Sequence, residues 1–258
     1  MSGTILELKR LTKRFGGLTA VNEVSFCVAE GGISGLIGPN GAGKTTIFNL
    51  ITGVYRVSEG SIEFRGEPIT NREPSAIASK GVTRTFQNIR LFKNLSAFDN
   101  VLTACHVGAK YSLAEALLRL PRFRREEKAL GEKARQLLDI MGLSDRAEVL
   151  ANNLPYGLQR RLEITRALAL DPKLLLLDEP AAGMNPDETI QLMKLIGEIR
   201  SRFKLSILVI EHHMDLIMGI CEHIHVLNFG CTLADGLPEA VANDPRVVEA
   251  YLGAEETT

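Results

Sequence analysis

Ile33-Ser34-Gly35-Leu36-Ile37-Gly38-Pro39-Asn40-Gly41-Ala42-Gly43-Lys44-Thr45-Thr46 is the stretch on which the fold turns. A short apolar run reads as a buried strand, and it leads into a loop of the form GxxxxGK[ST] that opens a helix near Gly43. The glycines let the backbone turn tightly, so that successive N–H groups point inward and cradle phosphate oxygens. The helix start adds its positive dipole end. Lys44 is spaced to reach the β- and γ-phosphates of a nucleoside triphosphate, and the Thr45 hydroxyl to ligate Mg²⁺. Gly38, Pro39, Asn40, Gly41, Ala42, Gly43, Lys44, Thr45 and Thr46 are the candidate phosphate set. A chance Gly-rich turn is the rival reading, and the strand-loop-helix order argues against it.

Working outward, Ile5, Leu6 and Leu8 read as a strand that turns at Gly16-Gly17 and returns through Val21, Val24, Phe26 and Val28. More β signal lies at Ser61 to Arg65. From about Ser96 to Leu170 the period changes. Leu113, Ala116, Leu117 and Leu120 recur at helical spacing, as do Ala134, Leu137, Leu138 and Met141, with Pro121 and Gly131 expected to separate helices and Gly142 to end one. Leu174 to Leu177 is a continuous apolar run, as for a parallel strand buried on both faces. Strands at Ser206 to Ile210 and His223 to Val226, with a helix between them, complete an α/β core. The expected division is 1–95 and 171–258 for that core and 96–170 for a helical insertion.

Asp178-Glu179-Pro180 follows the apolar run. In a triphosphate-binding sheet, strand ends and the phosphate loop meet at one edge, so Asp178 is the candidate Mg²⁺ partner, through water. Glu179 is placed to act as general base on an attacking water. Two adjacent acids ending a strand otherwise read as a solvated turn; beside the phosphate loop they read as chemistry.

Composition narrows the class. The 258 residues are 45% hydrophobic and 24% charged, and 30 Lys plus Arg stand against 31 Asp plus Glu, for a formal charge of -1. That balance disfavours a protein whose main task is coating nucleic acid or anionic lipid. The apolar run at Leu205 to Ile210 is stopped by Glu211, His212 and His213, far short of a membrane span. No signal-peptide pattern appears in Met1 to Arg10, so a cytoplasmic location is expected. Cys27, Cys105, Cys221 and Cys231 form no CxxC pair and read as free, mostly buried thiols. Arg122, Arg124 and Arg125 beside Glu126 and Glu127 read as a solvated helix face. His212 and His213 adjoin, and His223 and His225 share one face of a strand, but without an acid or Cys ligand set these four histidines are not expected to hold a metal.

Leu154-Pro155-Tyr156-Gly157-Leu158-Gln159-Arg160-Arg161-Leu162 lies between the phosphate loop and Asp178. In that order the chain resembles the ATP-binding cassette ATPases over nearly its whole length, this stretch matching their LSGGQ signature. The resemblance implies a P-loop NTPase fold with a RecA-like core, an N-terminal antiparallel β part and an inserted helical subdomain. It also implies roles: Phe15 stacking on adenine, Gln87 as the Q-loop glutamine at the Mg²⁺ site, Asn185 within the D-loop, His212 as the switch histidine at the γ-phosphate. Catalysis then falls to Glu179, His212, Lys44 and Gln87, the metal to Thr45, Gln87 and Asp178, and a partner's ATP to Leu154, Pro155, Tyr156, Gly157 and Leu158.

Gly81 to Val101, Leu177 to Pro186, Ile210 to Met214 and the ending Ala250-Tyr251-Leu252-Gly253 look like the LivG-type ATPases of branched-chain amino acid importers, as does the long insertion around Val107 to Lys128. The resemblance implies ATP and Mg²⁺ as cofactors and a sister ATPase packed head to tail. It further implies two permease subunits that hold the chain at the inner face of the plasma membrane, an external substrate-binding protein, and no nucleic acid. Importers of other amino acids or amides and lipopolysaccharide-type exporters are the nearer alternatives; a non-transport cassette ATPase of DNA repair or translation is the remote one. The chain departs from the signature at Pro155, Tyr156 and Leu158. Pro155 has neither a hydroxyl nor a backbone N–H to offer an opposing γ-phosphate, which suggests an unlike sister subunit and unequal sites. Asn185 stands where many relatives carry Asp, and His213 follows His212 where Asp is common.

Overall fold

Two sheets and a set of helices follow from these patterns in the computed structural model, which describes residues 3–211 and 214–255. In chain order the elements are β1 (Thr4–Phe15), β2 (Leu18–Ala29), β3 (Ile33–Ile37), α1 (Lys44–Ile51), β4 (Glu59–Phe64), β5 (Glu67–Pro68), α2 (Pro74–Ser79) and β6 (Val82–Arg84). The helical part holds α3 (Ala97–Cys105), α4 (Leu113–Leu117), α5 (Pro121–Ile140) and α6 (Tyr156–Leu168). The chain then runs through β7 (Leu174–Asp178), α7 (Pro186–Phe203), β8 (Ser206–Ile210), α8 (Met214–Ile220), β9 (His223–Asn228), β10 (Cys231–Gly236), α9 (Pro238–Ala242) and α10 (Pro245–Glu255). The chain divides into two units, one of Met1–Gln87 with Lys173–Thr258 and one of Asn88–Pro172.

In the first unit β1 and β2 pair antiparallel around a turn where Gly16 takes a φ of 56°, and β4 and β5 extend that sheet in the order β2-β1-β4-β5. The second sheet runs β10-β9-β3-β8-β7-β6, parallel except for β10. β3, β7 and β8 are buried along their whole length, which is why they read as unbroken apolar runs rather than alternating ones. One apolar core joins Leu6, Leu8 and Phe26 of the antiparallel sheet with Leu36, Leu176 and Ile210 of the parallel one and Phe48 of α1.

Parallel pairing aligns the strand ends. Leu36 and Asp178 both pair with Ile210, and Arg84 pairs with Leu176. The segments that follow β3, β6, β7 and β8 therefore leave the sheet at one edge, where ligands of open α/β sheets bind.

In the second unit the Ala134, Leu137, Leu138 and Met141 set is buried, and Gly142 ends α5 with a φ of 67°. Asn100, buried in α3, holds the loop before it: its Oδ1 accepts from the Phe92 N–H at 2.9 Å and its Nδ2 donates to the carbonyls of Phe92 and Ser96. Two expectations fail in this unit. The Leu113 to Leu120 spacing predicts an amphipathic helix, yet α4 stops after five residues, because Arg119 adopts a left-handed φ of 48° and Pro121 opens the next helix. Leu113 and Leu117 are 91% and 84% exposed, since so short a helix presents no stripe to a core. Gly131 separates nothing; it lies buried inside α5, whose other nineteen residues carry the cost of one helical glycine. The cysteine reading is half met, Cys105 and Cys221 being buried and Cys27 and Cys231 exposed, all four free.

A Cβ at Gly131 would meet nothing closer than 3.9 Å, and its φ is not left-handed. Gly131→Ala is expected to stabilise the protein by about 0.5–1 kcal/mol in urea unfolding; destabilisation would show that α5 needs the bare backbone.

Candidate active site

The loop after β3 has its shape imposed by contact. Gly38 takes a φ of 148°, and a Cβ there would lie 2.1 Å from the Leu227 carbonyl oxygen; at Gly43, φ 100°, it would lie 2.8 Å from that of Ala20. Only glycine fits either place. Gly43 caps α1, so Lys44 and the exposed Thr45 stand in the first helical turn. Lys44 is buried and folds back over the loop, its Nζ donating to the carbonyls of Gly38 at 2.7 Å and Pro39 at 3.0 Å. Burial pulls its ammonium below the ordinary lysine range, while Glu179 and Asp178 act against that pull. A buried ammonium between a helix start and two carboxylates suits an anion with a counter-cation.

Asp178 closes β7 as a buried carboxylate. Arg84 Nη2 donates to its Oδ2 at 2.5 Å, and Arg84 Nη1 donates to Asn49 Oδ1 on α1 at 2.6 Å. The guanidinium lies 5.3 Å from the Phe48 ring centre and 5.2 Å from that of Phe86. The next residue, Glu179, sits at a left-handed φ of 46°, a conformation that costs a non-glycine residue about 1–2 kcal/mol. Its N–H still bonds the Ile210 carbonyl at 2.9 Å, so the strand pairing holds while the side chain swings out. Gln87 Nε2 donates to Glu179 Oε2 at 2.8 Å, joining two residues 92 positions apart in the chain.

Phe15 ends β1 with 41% of its surface exposed and meets Tyr55 edge-on, ring centres 5.2 Å apart, with the Lys13 ammonium 4.7 Å over its own ring. It offers a flat apolar face with a cation alongside. Asn185 has a structural role: it caps α7, its Oδ1 accepting from the Glu188 N–H at 2.9 Å while its own N–H donates to Glu188 Oε2 at 3.1 Å. His212 and His213 lie outside the described residues.

In the helical unit Pro155 precedes α6 as its cap residue and supplies no side-chain cap. Leu154 is buried, Pro155 and Tyr156 are exposed, and Gly157 and Leu158 are half-buried. Tyr156 has a local partner: its hydroxyl accepts from Arg160 Nη2 at 3.3 Å, and the fully buried Arg160 pairs with Glu163 at 2.7 Å. Glu163 also accepts from the Arg90 N–H at 3.2 Å.

Sequence reasoning missed Arg84, Asn49, Glu211 and the Arg160–Glu163 pair. Glu211 reads as the stop of an apolar strand; in the fold it is fully buried and accepts from the Ala181 N–H at 2.9 Å, fixing the turn after Glu179. A charged residue abutting an apolar run was the available sign for Glu211; Arg84, between Thr83 and Thr85, carried no such sign.

With this geometry in hand, comparison with known proteins is specific. The model of the ABC transporter family matches residues 21–182, and that of the branched-chain amino acid ATP-binding cassette transporter matches residues 231–257. The chain is 48% identical to the high-affinity branched-chain amino acid transport ATP-binding protein BraF of Pseudomonas aeruginosa, over 98% of this chain and 99% of that one. It is 46% identical to LivG of Escherichia coli over the same shares. Among solved structures, an ATP-binding cassette of an ABC transporter in its ADP conformation superposes with a TM-score of 0.85 at 32% identity, covering 98% of this chain and 100% of that one.

Arg84→Ala leaves the Asp178 carboxylate buried without its cation, which is expected to cost about 3–5 kcal/mol in urea unfolding. Adding Asp178→Ala should recover part of that loss, and strictly additive effects in the double-mutant cycle would show the pair uncoupled.

Proposed function

The chain belongs to the ATP-binding cassette transporter family, and from that premise we propose that it is the ATP-hydrolysing subunit that powers a branched-chain amino acid importer. What carries the reading is the near full-length likeness to ATP-binding subunits of such transporters, continued into the C-terminal segment from β10 onward. No helix among the described residues is long and apolar enough to cross a membrane, and in this reading permeation belongs to partner subunits.

In this reading Phe15 takes the adenine ring and the loop from Gly38 to Thr46 takes the phosphates. Gly38 and Gly43 set the turn of the loop by packing against the Leu227 and Ala20 carbonyls, and the observation that fits a phosphate chain is the buried Lys44 ammonium this turn places at the start of α1. Lys44 exchanges its bonds to the Gly38 and Pro39 carbonyls for phosphate oxygens, which removes the cost of a buried ammonium held by neutral acceptors alone. Thr45, Asp178 and Gln87 would hold Mg²⁺, which would supply charge that offsets the phosphate oxygens. Arg84 keeps Asp178 in place for that duty. Glu179, strained and tethered by Gln87, accepts a proton from the attacking water, and His212 contacts the γ-phosphate.

The partner arrangement follows the family. A sister ATPase packs head to tail so that the start of α6, with Leu154, Pro155, Tyr156, Gly157 and Leu158, meets the partner's ATP. The helix start carries positive potential, but Pro155 withholds both hydroxyl and N–H, so an unlike sister and unequal sites are part of the proposal. A groove of about 140 Å³ lined by Ile89, Leu91, Lys93, Ala151, Asn152 and Gln159 receives a short helix of a permease subunit. The Asn185 cap fixes the start of α7 beside the D-loop. The chain then works at the cytoplasmic face of the membrane that holds the permeases.

The complex purified through this chain and reconstituted in vesicles with its external binding protein tests the importer reading. Stimulation of ATPase activity by leucine, isoleucine or valine, with a second, different ATPase subunit co-purifying, is expected. Stimulation by lipid with no need of a binding protein would point to an exporter instead. In the same system Glu179→Gln is expected to bind ATP while losing turnover by roughly three orders of magnitude. Undiminished hydrolysis would move the base elsewhere.

A further inference from the structure

Away from the phosphate edge, the β9–β10 hairpin gathers a group that the proposed mechanism does not use. Asp235 of β10 is the direct cross-strand partner of His225 on β9, and His223 stands two residues earlier on the same face. His223 Nε2 donates to Asp235 Oδ1 at 2.5 Å, and His225 Nδ1 donates to Asp235 Oδ2 at 2.5 Å. The two imidazole centres are 4.9 Å apart, and one ligand atom from each of the three residues falls within a 4.8 Å set. The sequence shows two histidines with no acid beside them; antiparallel pairing brings the acid from ten residues away.

We propose that His223, His225 and Asp235 form a binding site for a divalent transition-metal ion of the zinc type, separate from the nucleotide site. Two imidazole nitrogens and one carboxylate are the donor set that favours zinc, nickel or copper over magnesium or calcium. Two features make the group more than a hydrogen-bonded cluster. The His225 ring is held flat on Phe26, centres 4.4 Å apart and 24° from parallel, with only 2% of the residue exposed, so its Nδ1 edge is aimed at one place. The Asp235 carboxylate stands directly opposite His225 and presents one oxygen to each imidazole, so the three donor groups converge on one spot.

The chemistry balances without an outside reagent. The ion takes the lone pair of His223 Nε2, whose proton moves to Nδ1, and that of His225 Nδ1, whose proton moves to Nε2, and Asp235 gives up its two hydrogen bonds for one metal–oxygen bond. Donor atoms around a tetrahedral ion at about 2.1 Å lie roughly 3.3 Å apart, so Asp235 must withdraw somewhat under ~1 Å. Its place on the edge strand and its 41% exposed side chain permit that. Three protein ligands leave a fourth position to water. His225 Nε2 is buried with no hydrogen-bond partner among the described residues, so the site lacks the outer support of a permanent metal centre. That absence weakens binding by roughly 10–100-fold. The bound ion would staple the edge strand β10 to β9.

The test uses the metal-stripped, full-length protein without nucleotide or Mg²⁺, titrated with zinc chloride by calorimetry alongside His223→Ala and Asp235→Asn. Wild type is expected to bind one zinc more per chain than either variant and to gain a rise in Tm with zinc that both variants lose, while ATP binding is equal in all three. Equal zinc stoichiometry in wild type and variants would overturn the proposal. Should either variant fail to fold, histidine ¹⁵N resonances of the wild type decide: zinc must shift His223 Nε2 and His225 Nδ1, and unmoved resonances would reject the site.

Discussion

The buried ion pair of Arg84 and Asp178 ties three elements together at the point where the phosphate loop begins. Arg84 leaves β6, Asp178 ends β7, and the second guanidinium nitrogen reaches Asn49 on α1. Both charges are withdrawn from water, and such a pair holds only when geometry and further hydrogen bonds offset the desolvation. Here the Phe48 and Phe86 rings lie near the guanidinium and Asn49 accepts a hydrogen bond from its Nη1. An apolar pair of similar volume would often be at least as stable in such a place. The charge is therefore best understood as fixing the carboxylate at the sheet edge, at a set distance from the helix that carries Lys44.

Around that fixed point the backbone is held in conformations that chains ordinarily avoid. Gly38 and Gly43 pass against carbonyl oxygens too closely for any side chain, and Glu179 stands in the left-handed region while keeping its strand hydrogen bond. The buried Glu211 holds the following turn through the Ala181 N–H. The strain is thereby supported from the neighbouring strand, and the Glu179 side chain is left to Gln87. Asn185 belongs to the same logic one turn later, since a capped α7 gives the segment after Glu179 a rigid end.

The helical unit has its own buried charge pair. Arg160 and Glu163 face each other one turn apart on α6, and Glu163 reaches the backbone at Arg90. Tyr156, a departure from the family signature, becomes intelligible as the residue whose hydroxyl accepts a further hydrogen bond from Arg160. Nothing comparable explains Pro155, which caps α6 without a side-chain bond.

The local structure was legible in the one-dimensional chain: the tight loop from Gly38 to Gly43, the doubly buried strand at Leu174, the strand at Ser206, the strand end at Asp178, and the helix end at Gly142. Each depends on residues adjacent in sequence, through backbone geometry or the period of burial. What the chain could not show were pairings across long separations: Arg84 with Asp178, Gln87 with Glu179, Glu211 with Ala181, and Asp235 with two histidines. Strand register decides those, because a side chain's partners are set by which strand lies beside its own. The same limit misled the reading of Leu113 to Leu120. Helical spacing says which residues would share a face, but only the tertiary fold decides whether the helix continues and whether anything lies against it.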